Sequence, residues 1–322
     1  MDMLERIYQT YLQSRTVTTD SRQITLGCIF FAFKGETFDG NAFAPQALDQ
    51  GAALCVISDP QYKVDNRCIV VPDVLATLQQ LAAHHRRQLS IPFVGITGTN
   101  GKTTTKELVH AVLAKRYRTH ATSGNFNNHL GVPLTLLAIP ADAEIAIVEM
   151  GANHPGEIEA LCRIADPDFG LITNVGRAHL EGFGSFEGVI RTKTELYRHL
   201  STKGGTAFVN ADNDILTAQA SQCGLKTVTY GSNTQAQVRG TLVGSDPYLH
   251  FYFEVVERHL HARGVGVVAV EEEGVAGGLF VLRAFVRGFV LLDGLLDVPR
   301  LHAEVASHSR GGHAVVEVVV AQ

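Results

Sequence analysis

The chain from residue 91 onward alternates short apolar runs with segments of helical periodicity. After the apolar run "PFVGIT", residues 104–117 place Leu108 and Val112, and also Val109 and Leu113, four positions apart, as on one helix face. A second helical segment, ended by Pro167, follows one of the later runs. Those later runs predict strands at residues 144–150, 169–175, 206–212 and 226–231. Strands that alternate with helices predict a doubly wound, mainly parallel sheet.

Residues 1–88 have a different pattern, in which short apolar runs alternate with turn-rich segments. Two apolar runs predict strands at residues 28–33 and 53–58. A short helical pattern predicts a helix at 44–52, and a long one predicts a helix at 74–89. The long helix leads into the next region. We therefore expect an α/β protein, with a small mixed α/β N-terminal domain at 1–88 and a parallel-sheet domain at 89–254.

The composition changes after residue 254. Residues 255–322 contain no Ile, Lys, Asn, Thr, Met, Tyr or Cys, although all of these types are common before that point. Val, Gly, Arg, Leu, His and Glu dominate instead. We interpret 255–322 as an atypical tail. A frameshifted or foreign segment, a disordered segment and an unusual domain all fit this composition.

Composition and charge exclude several classes of protein. A chain of 322 residues suggests two or three domains, and its net charge of −5 argues against a nucleic-acid-binding protein. The five cysteines form no CxxC pair, so we expect free thiols in a reducing cytosol. The N-terminus has no signal-peptide pattern, and no apolar run reaches the roughly 18 residues of a membrane span. We therefore expect a cytoplasmic protein.

The stretch "GTNGKTTT" lies between a predicted strand and a predicted helix. The common phosphate-binding loop has Gly five positions before its Gly-Lys pair, but here that position is Ile96. Gly98 and Gly101 still allow the backbone N–H groups to turn inward, and the helix N-terminus adds partial positive charge. Lys102 can reach terminal phosphates, and a hydroxyl of Thr103 or Thr104 can bind Mg²⁺. The pattern favours a nucleotide-binding loop over a structural glycine-rich turn.

Further candidate residues lie near the ends of predicted strands, where open α/β sheets place their ligands. Glu149 ends a strand and can hold Mg²⁺, although a surface glutamate is equally consistent with the pattern. His179 follows the strand predicted at 169–175, whereas Lys193 starts a further helical pattern. Considered alone, they are more typical of a structural histidine and a solvated lysine. Three asparagines lie within four positions, at Asn125, Asn127 and Asn128. Their side-chain amides could bind a polar substrate, and a turn would use them as well.

Taken together, these motifs resemble the Mur ligase family, the ATP-dependent amide-forming enzymes of peptidoglycan synthesis. The family's phosphate loop reads TGTNGKTT, as residues 97–104 do here. Other matching segments are "TTDSRQITLGCIFFAFKGETFDGNAF", "GNFNNHLGVPLTLL", "EMGANHPGEIEAL" and "ITNVGRAHLEGFGS". The resemblance covers about residues 16–254. It identifies the second predicted domain as a P-loop ATPase. Folylpolyglutamate synthases share the loop, but the DSR and EMGAN segments argue against them.

The resemblance implies ATP and Mg²⁺ as cofactors. The ATP phosphates would be held by Gly98, Thr99, Asn100, Gly101, Lys102, Thr103 and Thr104. Thr103, Glu149 and His179 match the family's Mg²⁺ ligands. Lys193 matches the lysine that the family carbamylates, a change that converts a cation into a metal-binding carboxylate. The resemblance thus implies Lys102, His179 and Lys193 as catalytic residues.

The resemblance also implies the substrates. Within the family, the segments are similar to the branch that joins D-alanyl-D-alanine to UDP-N-acetylmuramoyl-tripeptide through an acyl phosphate, a step needed for cell-wall growth and division. Ser21 matches a residue near the uracil, and other substrate contacts fall at Asn125, Asn127 and Asn128. We expect a monomer with these small-molecule partners and no nucleic acid.

Two parts of the family's sequence pattern have no counterpart in this sequence. The family continues with Gly-x-His-Asn-x-x-Asn and a third, Rossmann-like domain, and neither is found after Glu254. The alternative expectation is therefore an inactive fragment that binds the nucleotide and the UDP-substrate without completing ligation.

Overall fold

The computed structural model describes residues 2–177, 180–244, 249–257, 260–268, 304–310 and 313–319. The chain divides into two compact units. The first unit comprises Met1–Ser90, Asn128–Pro140 and Arg163–Asp166, and the second comprises Ile91–Asn127, Ala141–Cys162 and Pro167–Gln322. Two short segments expected within 89–254 thus pack with the N-terminal region, because tertiary packing rather than chain continuity defines the unit.

The described helices and strands are numbered in chain order. The helices are α1 Met3–Ser14, α2 Ala44–Asp49, α3 Val74–Gln88, α4 Lys102–Leu113, α5 Gly131–Leu137, α6 Glu157–Ala165, α7 Leu180–Phe183, α8 Phe186–Lys193, α9 Glu195–Lys203 and α10 Asp214–Gln222. The strands are β1 Val17–Thr18, β2 Ile29–Phe31, β3 Leu54–Ile57, β4 Cys68–Val70, β5 Phe93–Thr97, β6 Thr119–Ala121, β7 Ile145–Glu149, β8 Phe169–Ile172, β9 Thr206–Asn210, β10 Lys226–Gly231, β11 Val238–Gly244, β12 Leu249–Glu257, β13 Leu260–Val268, β14 Glu304–Arg310 and β15 His313–Val319.

The first unit contains a parallel four-stranded sheet in the order β1-β2-β3-β4. Every residue of β2 and of β3 is buried, so these strands read as continuous apolar runs rather than as alternating patterns. Helix α1 was not predicted, although its sequence is amphipathic. It buries Ile7, Tyr8 and Tyr11, and the Asp2 side chain caps its N-terminus.

The second unit contains a nine-stranded sheet in the order β13-β12-β11-β10-β9-β8-β5-β7-β6. The strands from β6 to β11 in this order are parallel, and β11-β12-β13 pair in antiparallel fashion. The expected α/β architecture with a mainly parallel sheet is confirmed. Strand β5 lies between β7 and β8. Open α/β sheets bind ligands beyond the carboxyl ends of their strands at such a change in strand order, so we expect a ligand near the carboxyl end of β5.

Helix α4 packs its predicted apolar face on this sheet. Leu108, Val109, Val112 and Leu113 are all buried. Val109 and Leu113 share a core cluster with residues of β5, β7 and β8, namely Val94, Ile96, Ile145, Ile147 and Leu171. The helix begins two residues earlier than predicted, at Lys102, because the preceding glycine ends the loop. This packing fixes the position of the loop between β5 and α4 relative to the sheet.

The sequence patterns predict no element at α5, α8, α10 or β6, although a helical pattern starting at Lys193 corresponds to α9. Each is short, so its periodicity is too brief to distinguish from a loop. Within the predicted tail, the structure describes β13, β14 and β15, with β14 and β15 in an antiparallel pair. Residues 269–303 lie outside the described part. Among the described helices, none has the length and apolar character needed to cross a membrane.

Candidate nucleotide and metal site

The loop between β5 and α4 depends on two glycines. Gly98 has φ of 144° and Gly101 has φ of 74°, both in the region that favours glycine. A Cβ on Gly98 would also lie 2.0 Å from Thr173 Oγ1, whereas a Cβ on Gly101 would meet open space. The requirement at Gly98 is therefore conformational and steric, and at Gly101 it is conformational alone.

The loop is held in place by the residues that follow β8. Asn174 accepts hydrogen bonds from Thr99 N through its backbone oxygen and from Asn100 N through Oδ1, both at 3.1 Å. Thr173 Oγ1 donates to Asn100 O at 2.7 Å, and Gly176 N donates to Thr99 Oγ1 at 2.9 Å. Sequence reasoning missed Thr173 and Asn174. Their position near the carboxyl end of the predicted strand 169–175 is the signal that the sequence offers.

The N-terminus of α4 faces this loop and has no side-chain cap among the described residues. The first N–H groups of a helix lack partners within the helix and carry partial positive charge. Lys102 Nζ donates to Gly98 O at 3.1 Å and to Thr99 O at 3.0 Å, so its ammonium lies over the loop. Burial lowers the pKa of Lys102, and the Glu149 carboxylate partly opposes this shift. The arrangement is suited to binding a phosphate group.

Glu149 lies at the end of β7 and is fully buried. Its Oε1 accepts hydrogen bonds from Thr103 Oγ1 at 3.1 Å and from Asn127 Nδ2 at 2.8 Å. Its Oε2 is buried and has no partner among the described residues. Such an oxygen is costly to bury unless something pairs with it. One carboxylate oxygen is therefore oriented by the protein while the other is available to a cation.

The donors present suit Mg²⁺. This ion prefers oxygen ligands and is typically bound by one or two carboxylates together with substrate phosphates and water. Glu149 Oε2 and the exposed Thr103 hydroxyl are such donors. The described part of the chain contains no cluster of three or more His, Cys, Asp or Glu able to hold a metal by themselves. The predicted ligand His179 lies outside the described residues.

Lys193 is buried at the end of α8, rather than solvated as its sequence context alone favours. Its Nζ donates to Ala152 O at 3.3 Å and lies 5.4 Å from the centre of the Phe183 ring. Burial, followed by the nearby charge of Lys102, lowers the pKa of Lys193 to about 8. An amine with this pKa is partly neutral near physiological pH, which is the form that reacts with CO₂.

The predicted substrate contacts have several environments. The Asn127 side chain bonds to Glu149, and its backbone oxygen accepts from Gly151 N at 2.7 Å. Asn128 Oδ1 accepts from the backbone N–H groups that begin α5, and Asn125 O accepts from Asn127 N at 2.7 Å. Their roles as substrate ligands stay predictions.

Ser21 lies in the first unit, in a turn beside the ion pair of Arg22 and Asp20. The two residues are joined at 2.7 Å, and hydrogen bonds from Arg22 lower the pKa of Asp20 to about 2. The expected contact of Ser21 with a uracil also stays a prediction.

Comparison with known proteins gives matches along most of the chain. A family model described as the Mur ligase middle domain matches residues 96–261, and one described as the Mur ligase family, catalytic domain, matches residues 14–86. The UDP-N-acetylmuramoyl-tripeptide–D-alanyl-D-alanine ligase of Bacillus subtilis (strain 168) is 40% identical over 243 residues, which are 75% of this chain and 52% of that relative. The chain thus spans about half the length of the curated relatives it matches.

Solved structures of similar fold include MurF from Acinetobacter baumannii, with a TM-score of 0.76 and 28% identity, covering 94% of this chain and 67% of that one. MurF ligase from Thermotoga maritima, solved in complex with ADP, has a TM-score of 0.76 and 29% identity. That match covers 91% of this chain and 64% of the Thermotoga chain.

Proposed function

Because the chain belongs to the Mur ligase family, we propose that it acts in ATP-dependent amide ligation, joining D-alanyl-D-alanine to UDP-N-acetylmuramoyl-tripeptide in peptidoglycan synthesis. The Bacillus subtilis relative has this substrate pair in its name. The Thermotoga maritima relative binds ADP, which supports ATP as the phosphoryl donor. Both similarities extend over the two regions that carry the predicted substrate and nucleotide residues.

One observation carries the proposal: Glu149 Oε2, at the end of β7, is buried without a partner among the described residues. Strand β7 pairs with β5, and the glycine-rich loop follows β5. A structural glycine-rich turn has no need of a buried carboxylate oxygen without a partner. Bound Mg²⁺ would neutralise part of the phosphate charge at this position. Glu149 and Thr103 would hold it, and Asn127 would keep the Glu149 carboxylate in its orientation.

The chemistry needs a carboxylate to become a good acyl donor. The terminal carboxylate of the tripeptide attacks the γ-phosphorus of ATP, which forms an acyl phosphate and releases ADP. The amine of D-alanyl-D-alanine then attacks the acyl carbon, phosphate leaves, and the amine loses a proton. Lys102 and the loop N–H groups bind the phosphate oxygens and offset the charge that accumulates as the two anions approach.

Lys193 is proposed to act as its carbamate. The neutral amine attacks CO₂, a C–N bond forms, and one proton is released to solvent. The shift of its pKa to about 8 supports this step, because a lysine with the ordinary pKa would be almost fully protonated. The product is a carboxylate that adds an oxygen donor for the cation.

The experiment measures phosphate release from ATP by the purified chain in the presence of Mg²⁺. UDP-N-acetylmuramoyl-tripeptide and D-alanyl-D-alanine are added separately and together, and the product is identified by mass. Release that requires both substrates, with the pentapeptide product, supports the ligase. If ATP or the UDP-substrate binds without release, the chain is instead a binding fragment, and if neither binds, the assignment of both sites is wrong.

A further inference from the structure

Thr122 directly follows β6 and connects three elements of the second unit. Its backbone N donates to Ile147 O at 3.0 Å, and its Oγ1 accepts a hydrogen bond from Glu149 N, also at 3.0 Å. Its carbonyl oxygen accepts from Lys106 Nζ at 2.6 Å. The first two bonds attach Thr122 to β7, and the third attaches it to α4. A single residue, which is almost fully buried, thus links the helix after the loop to the strand end that carries Glu149.

Lys106 is a fully buried cation in α4. Its ammonium pairs with Thr122 O and with Glu107 Oε1, the latter at 2.7 Å. Burying an ammonium is unfavourable unless hydrogen bonds and an opposite charge compensate it, and an apolar side chain would fill the same space without that requirement. Packing alone therefore does not explain a lysine at this position. The direct consequence of its charge is the short bond to the Thr122 carbonyl.

The location of Lys106 gives that bond a functional consequence. Lys106 lies three residues after Thr103 and four after Lys102, so all three lie within about one turn of the same helix. Thr103 donates to Glu149 Oε1 from the first turn, and Lys106 reaches Glu149 N through Thr122 from the next. Helix α4 therefore positions both the backbone and the side chain of Glu149.

We propose that Lys106 is a positioning residue for the cation site, acting through Thr122 to set the position of Glu149 at the end of β7. The inference rests on the proposed function, because the cation is the one that accompanies the nucleotide. Because Lys106 is fully buried, we expect it to contact neither the nucleotide nor the cation. Its removal should therefore weaken the contribution of Mg²⁺ to nucleotide binding while leaving binding of the metal-free nucleotide intact.

The test is calorimetric titration of the full chain with ADP, once in EDTA and once in Mg²⁺. For Lys106→Met we expect the Mg²⁺-dependent gain in ADP affinity to fall by about 10- to 100-fold, the usual effect of removing a residue that supports a metal ligand. The affinity in EDTA should equal that of the wild type. Lys115→Met is the matched control, since Lys115 is exposed just after α4, and both of its affinities should be unchanged.

A second pair of variants tests the connection itself and does not remove the buried charge. Thr122→Val removes the oxygen that accepts from Glu149 N and should reproduce the loss, whereas Thr122→Ser retains a hydroxyl and should restore the gain. If a variant lost the same factor of ADP affinity in EDTA and in Mg²⁺, the loss would reflect a general packing defect and would overturn the inference. The inference would also be overturned if Lys106→Met and Thr122→Val both kept the wild-type Mg²⁺-dependent gain in ADP affinity. A wild-type chain that binds no ADP in either buffer would instead refute the proposed function.

Discussion

Among the described residues of the second unit, two glutamates are buried, and their hydrogen bonding differs. Glu195, at the start of α9, accepts hydrogen bonds from Gly156 N and Glu159 N, each at 2.8 Å and each on a different carboxylate oxygen. Glu149 accepts two bonds on Oε1, while its Oε2 has no partner within the described residues. Glu195 completes the N-terminus of α6, whereas Glu149 keeps one buried oxygen for which we propose a cation as the partner. A buried polar atom without a partner calls for such an explanation, and a fully bonded carboxylate does not.

The largest expected effect lies on the ligand side of this comparison. Lys102→Ala removes the ammonium that lies over the loop, and we expect phosphate release to fall by about 100- to 1,000-fold, as for the loss of one charge-stabilising donor. Lys115→Ala, an exposed matched control, should retain the wild-type rate. Undiminished release from the Lys102 variant would mean that the loop does not hold the terminal phosphates.

Glu149→Gln tests the unpartnered oxygen. The amide keeps the size of the side chain but removes the charge, and we expect the Mg²⁺-dependent gain in ADP affinity to fall by about 100-fold. The free energy of unfolding without nucleotide should not fall, because the substitution removes a buried charge that lacks full compensation. A marked loss of stability in urea unfolding would place Glu149 in the same structural class as Glu195.

Glu195→Gln should give the opposite result. Gln can accept only one of the two backbone N–H bonds, and we expect the free energy of unfolding to fall by about 2 kcal/mol, typical of lost hydrogen bonds to a charged group. The Mg²⁺-dependent gain in ADP affinity should remain. If that gain disappeared at unchanged stability, the distinction between the two glutamates would be wrong.

The smallest effect, expressed per pH unit, concerns Lys193. Its pKa is about 8 in the folded protein and near its ordinary value of roughly 10.4 in the unfolded chain. Between these values the unfolded chain binds more protons, so stability should rise with pH, by at most about 1.4 kcal/mol per pH unit. Below pH 8 the buried ammonium reduces stability.

Lys193→Met should therefore remove this rise when urea unfolding is measured from pH 8 to 10 in CO₂-free buffer. Lys203→Met serves as a control with a more exposed lysine of the same region, and it should keep the slope. An identical slope in wild type and Lys193→Met would show that Lys193 has no depressed pKa.

Much of the fold was readable from the sequence because its signals are local. The apolar face of α4, the runs of β5, β7, β8, β9 and β10, and the end of a helix before Pro167 depend on neighbours within a few residues. The loop was predictable for the same reason, since Gly98, Gly101 and Lys102 lie within one short stretch. The short helices α8 and α10 are not predicted, because brief segments carry little periodicity.

The sequence by itself determined the kind of site. It showed a glycine-rich loop before a helix, with a lysine and hydroxyl groups at the helix N-terminus, and a carboxylate at the end of a later strand. Only the tertiary structure decided what each group does. The unpartnered oxygen of Glu149, the burial of Lys193 and the support from Thr173 and Lys106 all depend on residues far apart in the chain. They meet because β5 lies between β7 and β8, and this strand order arises from the packing of the whole sheet and its helices rather than from any local pattern.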